Sequence, residues 1–213
     1  MYDSPGYPQP EESAVEAFVQ AQPYAVVLSV GADGHPCASL LPFVKDGDRI
    51  TVHMVQEDPT FRALERDPRG SVLIEEFLAF TAHTPVNADY AGQATLHFRA
   101  VLYEVVATLT TEPARVADAL EEALARYEPG RAHRPVHDLQ AYGDDLVRLA
   151  RADLRVVARQ AKFKHAQGKD EATRERLVAY LRARGNWRDG HAADVIGGVG
   201  NGDPGPFDRL GPD

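Results

Sequence analysis

Short β-type runs joined by tight turns constrain this chain more than any other feature. Tyr24 to Val30 is one such run, Ala32-Asp33-Gly34-His35 is a turn, and Pro36 to Val44 is a second run. Asp-Gly between two β-type runs predicts a hairpin, because glycine takes up backbone angles that other residues resist. Asp46-Gly47-Asp48 repeats the signal before a strand over Arg49 to Val55. Strands joined by turns this short pair antiparallel. Further β-type runs cover Gly70 to Phe80, Ala94 to Thr110 and Asp153 to Ala161. Helical spacing marks Glu11 to Gln22, Glu112 to Tyr127, Leu139 to Leu149 and Asp170 to Arg184, with one more turn over His191 to Ile196. Asp58 as N-cap and Pro59 at the first position start a short helix bearing Phe61, Leu64 and Glu65. Strands in sequence-local hairpins interrupted by helices predict an α+β fold, an antiparallel β-barrel with peripheral helices.

The chain has 213 residues, of which 1–196 read as a single domain with a helical C-terminal part. Residues 1–10 carry three prolines and predict an extended arm. From Gly197 glycine and proline dominate, which predicts a disordered tail over 197–213. A net charge of −9 argues against nucleic-acid binding by bulk charge. The single cysteine, Cys37, leaves no internal disulfide framework and reads as a buried, inert thiol. No apolar run approaches ~20 residues, so no membrane span is expected. The N-terminus is Pro-rich and acidic rather than basic and then apolar, so no signal peptide is expected and the location reads as cytoplasmic.

Two segments carry chemistry. Ala161 to Asp170 places three lysines, a histidine and a glutamine in ten residues, read as a loop entered from a strand. His53 lies near the end of an otherwise apolar strand, with Met54 beside it and Glu57 and Asp58 just beyond. It reads as a core histidine or, functionally, as an axial ligand or proton carrier at the mouth of a barrel. His133 and His137 have a zinc-helix spacing, but Pro135 between them forbids a regular helix. The glycine-rich stretch from Gly197 to Gly202 follows no strand and opens no helix, so it is no dinucleotide fingerprint.

Pro23-Tyr24-Ala25, Asp33-Gly34-His35-Pro36, Leu41-Pro42-Phe43, His53 to Pro59 and Lys162-Phe163-Lys164 to Gln167, with Met1-Tyr2 before them, together resemble the PaiB-type family of FMN-binding split barrels. The resemblance covers roughly residues 1–196 and implies a homodimer of six-stranded split barrels with a cofactor cleft between subunits. The chain departs from the family at Thr81 to Tyr90, where tryptophan-bearing flavin segments are replaced and His83 has entered. In that departure, in Arg126 to Gly130 with His133 to Val136, and in Ala192 to Ile196, it is similar to the piperazate synthase branch. Enzymes of that branch use haem b to join the two nitrogens of N5-hydroxy-L-ornithine.

This likeness implies a haem-dependent, dehydrative ring closure to piperazic acid on a small amino-acid substrate. His53 is the first choice of iron ligand and His83 the second, with His165 the remaining candidate. Arg62, Arg99, Lys162 and Lys164 are candidates to meet haem propionates or a substrate carboxylate. Glu57, His165 or a desolvated Lys164 would serve as the base. The alternative implied by the wider family is an FMN-binding protein with a transcriptional-regulatory or flavin oxidoreductase role.

Overall fold

The computed structural model describes residues 8–198. The first seven residues, with the Met1-Tyr2 motif, and the tail expectation from 199 onward lie outside the described residues.

Seven strands form one open antiparallel sheet: β1 (Ala25–Val30), β2 (Pro36–Leu41), β3 (Val44–Asp46), β4 (Arg49–Val55), β5 (Arg69–Thr81), β6 (Thr95–Thr110) and β7 (Leu149–Lys164). Their order across the sheet is β2-β1-β5-β6-β7-β4-β3. The helices are α1 (Glu12–Gln20), α2 (Pro59–Arg66), α3 (Pro113–Tyr127), α4 (Leu139–Leu146), α5 (Glu171–Arg184) and α6 (Asp189–Ile196). This α+β architecture fits a split barrel, with seven strands rather than the six expected.

Pro42 is the reason for the difference. It has no N–H for the ladder, so the run expected over Pro36 to Val44 breaks into β2 and β3. Beside it the Phe43 backbone turns to a side chain. Its N–H donates to Tyr127 Oη at 2.9 Å and the Tyr127 hydroxyl donates to its carbonyl at 2.9 Å. Both hairpin turns carry glycine at positive φ, Gly34 at 83° and Gly47 at 56°, as the Asp-Gly signals required. Ala25 pairs with Leu41 and Val30 with Pro36 across the first turn, and Asp46 with Arg49 across the second.

The chain divides into two compact units. One comprises the N-terminal segment up to Gln22, Glu75–Val101 and the segment from Gln160; the other comprises Pro23–Ile74 and Leu102–Arg159. Strands β5, β6 and β7 each contribute residues to both.

In the second unit β4 turns Ile50, Val52 and Met54 inward. Arg151, opposite His53 on β7, is 1% exposed. Its guanidinium donates to Asp153 at 2.9 and 2.8 Å and to Glu122 on α3 at 3.2 Å, and Thr51 donates to Asp153 at 3.0 Å. A buried charge is tolerated only when paired and hydrogen-bonded, and this one is. Asp58 caps α2 as expected: its carboxylate accepts from the Thr60 N–H at 2.7 Å and from the Ser39 hydroxyl at 2.8 Å.

The core of the first unit gathers Leu78 and Ala79 of β5, Leu177 and Leu181 of α5 and Ala192, Ala193, Val195 and Ile196 of α6. Asp170 caps α5, accepting from the Thr173 N–H at 2.8 Å. Gly185, at φ +65°, ends it. Asp189, 1% exposed, then accepts from both arms of Arg184 at 2.8 and 2.5 Å, fixing the corner between α5 and α6.

Candidate functional site

The site residues that the fold brings together lie in the first unit, at the ends of β5, β6 and β7. Alternation along β6 sends His97, Arg99 and Val101 inward, and alternation along β5 does the same for Ile74, Glu76 and Leu78. Two charged side chains are therefore driven into the interior, and they meet there. Arg99 donates to Glu76 Oε2 from Nε at 2.9 Å and from Nη2 at 2.6 Å. The other carboxylate oxygen takes Arg188 and, at 2.8 Å, His191 Nε2. Burial opposes ionisation of Glu76, but the His191 hydrogen bond and the Arg99 charge outweigh it and hold its pKa at about 2. Arg99 also lies over the rings of Phe18 at 4.9 Å and Phe163 at 5.9 Å, which pack edge to face at 5.2 Å. Expected as an anion-binding residue, Arg99 has its fork turned to Glu76 and is 8% exposed.

Beside this cluster is a cavity of about 200 Å³ lined by His97, Thr81, Thr95, Gln93, Lys164 and Lys169, with apolar residues closing it. His97 is 2% exposed; its Nε2 lies 2.9 Å from Thr81 Oγ1, and its Nδ1 has no hydrogen-bond partner. Burial, then the charges of Lys164 and His165, lower its pKa to about 4, so the ring is neutral at neutral pH. Lys164 Nζ donates to Thr95 at 2.5 Å and Lys169 Nζ donates to Gln93 at 2.8 Å. The pKa of Lys164 is lowered by burial and by the neighbouring Lys162 charge. That of half-buried His165 is lowered by burial, with a smaller contribution from Arg99.

The segment from Ala161 divides differently from the expected loop. β7 runs on to Lys164, so Lys162 and Lys164 share one strand face while Ala161 and Phe163 are buried on the other. The turn begins only at His165. Gln167 closes it, accepting from the His165 N–H at 3.0 Å and donating to the Phe163 carbonyl at 2.6 Å. Ala166 takes φ 66°, a left-handed angle that costs an alanine about 1–2 kcal/mol. Such strain persists where surrounding contacts hold it.

The other candidates lie apart in sequence and setting. His53 is half-buried on β4, and burial lowers its pKa, which favours the neutral imidazole. Glu57 is exposed in the turn after β4. Arg62 is engaged with Glu65 at 3.0 Å on the surface of α2. His83 sits half-buried in the turn after β5, its carbonyl accepting from the N–H groups of Val86 and Asn87 at 2.9 and 2.8 Å. His133 and His137 face acids on α3, Glu121 at 3.6 Å and Asp118 at 3.1 Å. Cys37 is half-buried rather than buried.

Sequence reasoning missed Glu76, His97, Arg188 and His191. A signal existed for two of them. Glu76 is in phase with Val72, Ile74 and Leu78, and His97 with Val101 and Tyr103, so strict alternation marks both as inward-facing.

A haem needs an imidazole ligand and cations for its propionates. His53 belongs to the second unit and Lys162 and Lys164 to the first, and His53 lines neither the cavity beside His97 nor the groove of the second unit. Among the described residues no group of three or more His, Cys, Asp or Glu stands ready to hold a bare metal ion. In the second unit an open groove of about 590 Å³ is bordered by Leu28, Val30, Leu102, Val106 and Val157, with Arg69 and Glu104 also lining it.

Fold and site define a member of the FMN-binding split-barrel superfamily. A family model described as pyridoxamine 5'-phosphate oxidase matches residues 12–149, more than half of the chain, and the chain belongs to that family. Among solved structures the chain is similar to the flavocytochrome Anf3 from Azotobacter vinelandii, at 23% identity over 83% of this chain and 75% of that one, with a TM-score of 0.60. It is also similar to the FAD and heme binding protein from Mycobacterium smegmatis, at 18% identity over 83% and 79%, TM-score 0.58. A third is the conserved hypothetical protein Rv2991 from Mycobacterium tuberculosis, at 16% identity over 76% and 90%, TM-score 0.55. No curated protein matches the sequence. No helix among the described residues is long and apolar enough to cross a membrane.

Proposed function

We propose that this protein is a haem-dependent cyclase of the piperazate synthase type, closing N5-hydroxy-L-ornithine to piperazic acid with loss of one water. The observation that carries the reading is Lys164, a partly buried base that lines a small cavity together with Lys169 and no acidic residue, with half-buried His165 next to it in the chain. A ring closure of this kind needs a neutral base to take a proton from the substrate's α-ammonium, and burial, which lowers the pKa of Lys164 and of His165, favours their neutral forms. The substrate's α-nitrogen then attacks its own N5, and the N–O bond breaks as the oxygen leaves with a proton. Atoms and electrons balance: one N–N bond forms, one N–O bond breaks, and water departs.

Bound haem would supply a Lewis-acid iron for the hydroxylamine oxygen, with His53 as its protein ligand. Lys164 or His165 would hold the proton taken from the α-ammonium, and Lys169 would hold the substrate carboxylate. The closure is intramolecular, so holding the two nitrogens in near-attack geometry is how the site would lower the barrier. A flavin-binding role is the second reading, supported by the family model itself. The apolar groove with exposed Val30 and Val157 supports a homodimer, since a second copy would cover it.

An absorption spectrum of purified, haem-reconstituted protein tests the cofactor. The expected result is a Soret band that His53→Ala removes while leaving a folded protein. Loss of the band in His83→Ala instead would move the ligand to the turn after β5. Flavin bands in place of a Soret band would overturn the haem reading and favour the flavin one.

A further inference from the structure

The segment 82–94 is long for a connection between two neighbouring strands, β5 and β6. Hairpin loops take roughly two to five residues, and much longer ones are commonly working parts. This one holds itself together. The His83 carbonyl accepts from the Val86 and Asn87 N–H groups, and the Asn87 side chain accepts from the Asp89 N–H at 3.0 Å. The Gln93 and Ala94 N–H groups donate to the carbonyls of Tyr90 and Ala91 at 3.2 and 3.0 Å. The Tyr90 ring lies against Gly92, where a methyl group would come within 2.6 Å of its atoms. The hold on the rest of the unit is slighter. Among the described residues, two hydrogen bonds reach the loop from outside. Lys169 Nζ donates to Gln93 Oε1 at 2.8 Å, and Arg176 Nε donates to the Pro85 carbonyl at 2.9 Å. Both donors are exposed. Val86 adds an apolar contact with the core around Leu177.

The same loop gives Val86, Gly92 and Gln93 to the wall of the cavity that Lys164 lines. We propose that residues 82–94 are a lid over this cavity, clasped by Lys169 on Gln93 and by Arg176 on Pro85, and that the lid swings as one piece to admit a ligand. A segment bonded more within itself than to its surroundings opens as a unit, because opening breaks the few outer bonds and spares the inner ones. Ala82 and Ala94, small residues next to the strand ends, are placed to serve as hinges. Each clasp is a single side-chain hydrogen bond, worth about a factor of 2 to 10 in the opening equilibrium. The volume agrees with a closed state. About 200 Å³ is below the roughly 300–1,000 Å³ of pockets that enclose drug-sized ligands, so the open form is the one with room for a longer substrate. The lid stands on the loop and the cavity and holds whatever reaction the site performs.

Reductive methylation of lysines on the full chain without added cofactor, read by peptide mass spectrometry, tests access to the cavity. Lys164 lines the cavity and Lys162, on the same strand face, does not, so Lys162 is the internal reference. Gln93→Ala undoes one clasp and leaves every charge in place; Arg176→Met undoes the other. Each is expected to raise the Lys164 rate relative to Lys162 by about 2- to 10-fold, and the two together by about the product. Spin labels at Asn87→Cys on the loop and Glu175→Cys on α5, both exposed positions, in a Cys37→Ser background follow the motion itself. A main closed distance is expected, with a longer component that grows in the clasp variants. An unchanged Lys164 to Lys162 ratio in both variants would overturn the clasp and the lid with it. Faster Lys164 labelling with one unmoved spin–spin distance would overturn the lid too, because the loosening would then lie in β7 and not in the loop.

Discussion

Glu76 ties together three elements of the first unit, receiving Arg99 from β6, Arg188 ahead of α6 and His191 within α6. Glu76→Gln removes a charge from beside a buried guanidinium, so it is expected to destabilise the fold by about 3–5 kcal/mol, measured by urea unfolding. The pH dependence has a definite sign. The carboxyl is held at about 2 in the folded chain against an ordinary 4.5, so its contribution is fully present above pH 4.5 and is lost as pH falls toward 2. His97 acts in a higher window. Its folded pKa of about 4 lies below the ordinary 6.5, so the unfolded chain gains protons first and stability falls as pH drops from 6.5 to 4. Unfolding free energies collected across those two windows should therefore decline in two steps. In His97→Phe the upper step should shrink, and an unchanged upper step would assign it to His53 or His165 instead.

At the scale of elements, the strands that turn chemistry defines were legible and those that tertiary contacts define were not. Asp-Gly at Gly34 and Gly47 gave both hairpins, and Asp58-Pro59 gave the start of α2 within a residue. Pro42 breaks the expected run from Pro36 to Val44, because a residue without an N–H interrupts the ladder even within an apolar stretch. The extension of β7 to Lys164 was hidden for a different reason. A lysine-rich strand end looks like a loop until its alternate residues, Ala161 and Phe163, find a core to enter. The Glu76 cluster joins residues 112 and 115 positions apart, and no local pattern reports such a distance. Asp58→Ala tests the cap that was legible. It removes the bonds to Thr60 and Ser39, and a loss of about 1–2 kcal/mol in thermal or chemical unfolding is expected. A change under a few tenths would show that α2 is held by Phe61 and Leu64 alone.

At the scale of the molecule, membership of the split-barrel family accounts for the sheet and leaves the chemistry to this chain's own side chains. The apolar groove along β1, β5 and β6 has no covering element among the residues that border it. Light scattering at micromolar protein is expected to give twice the chain mass, and a monomer mass would contradict the dimer. The most direct measurement of the central claim is mass spectrometry of N5-hydroxy-L-ornithine incubated with the haem-loaded protein. The account predicts a product lighter by one water, with formation slowed at least tenfold in Lys164→Met. Unchanged substrate in the presence of an intact Soret band would contradict it.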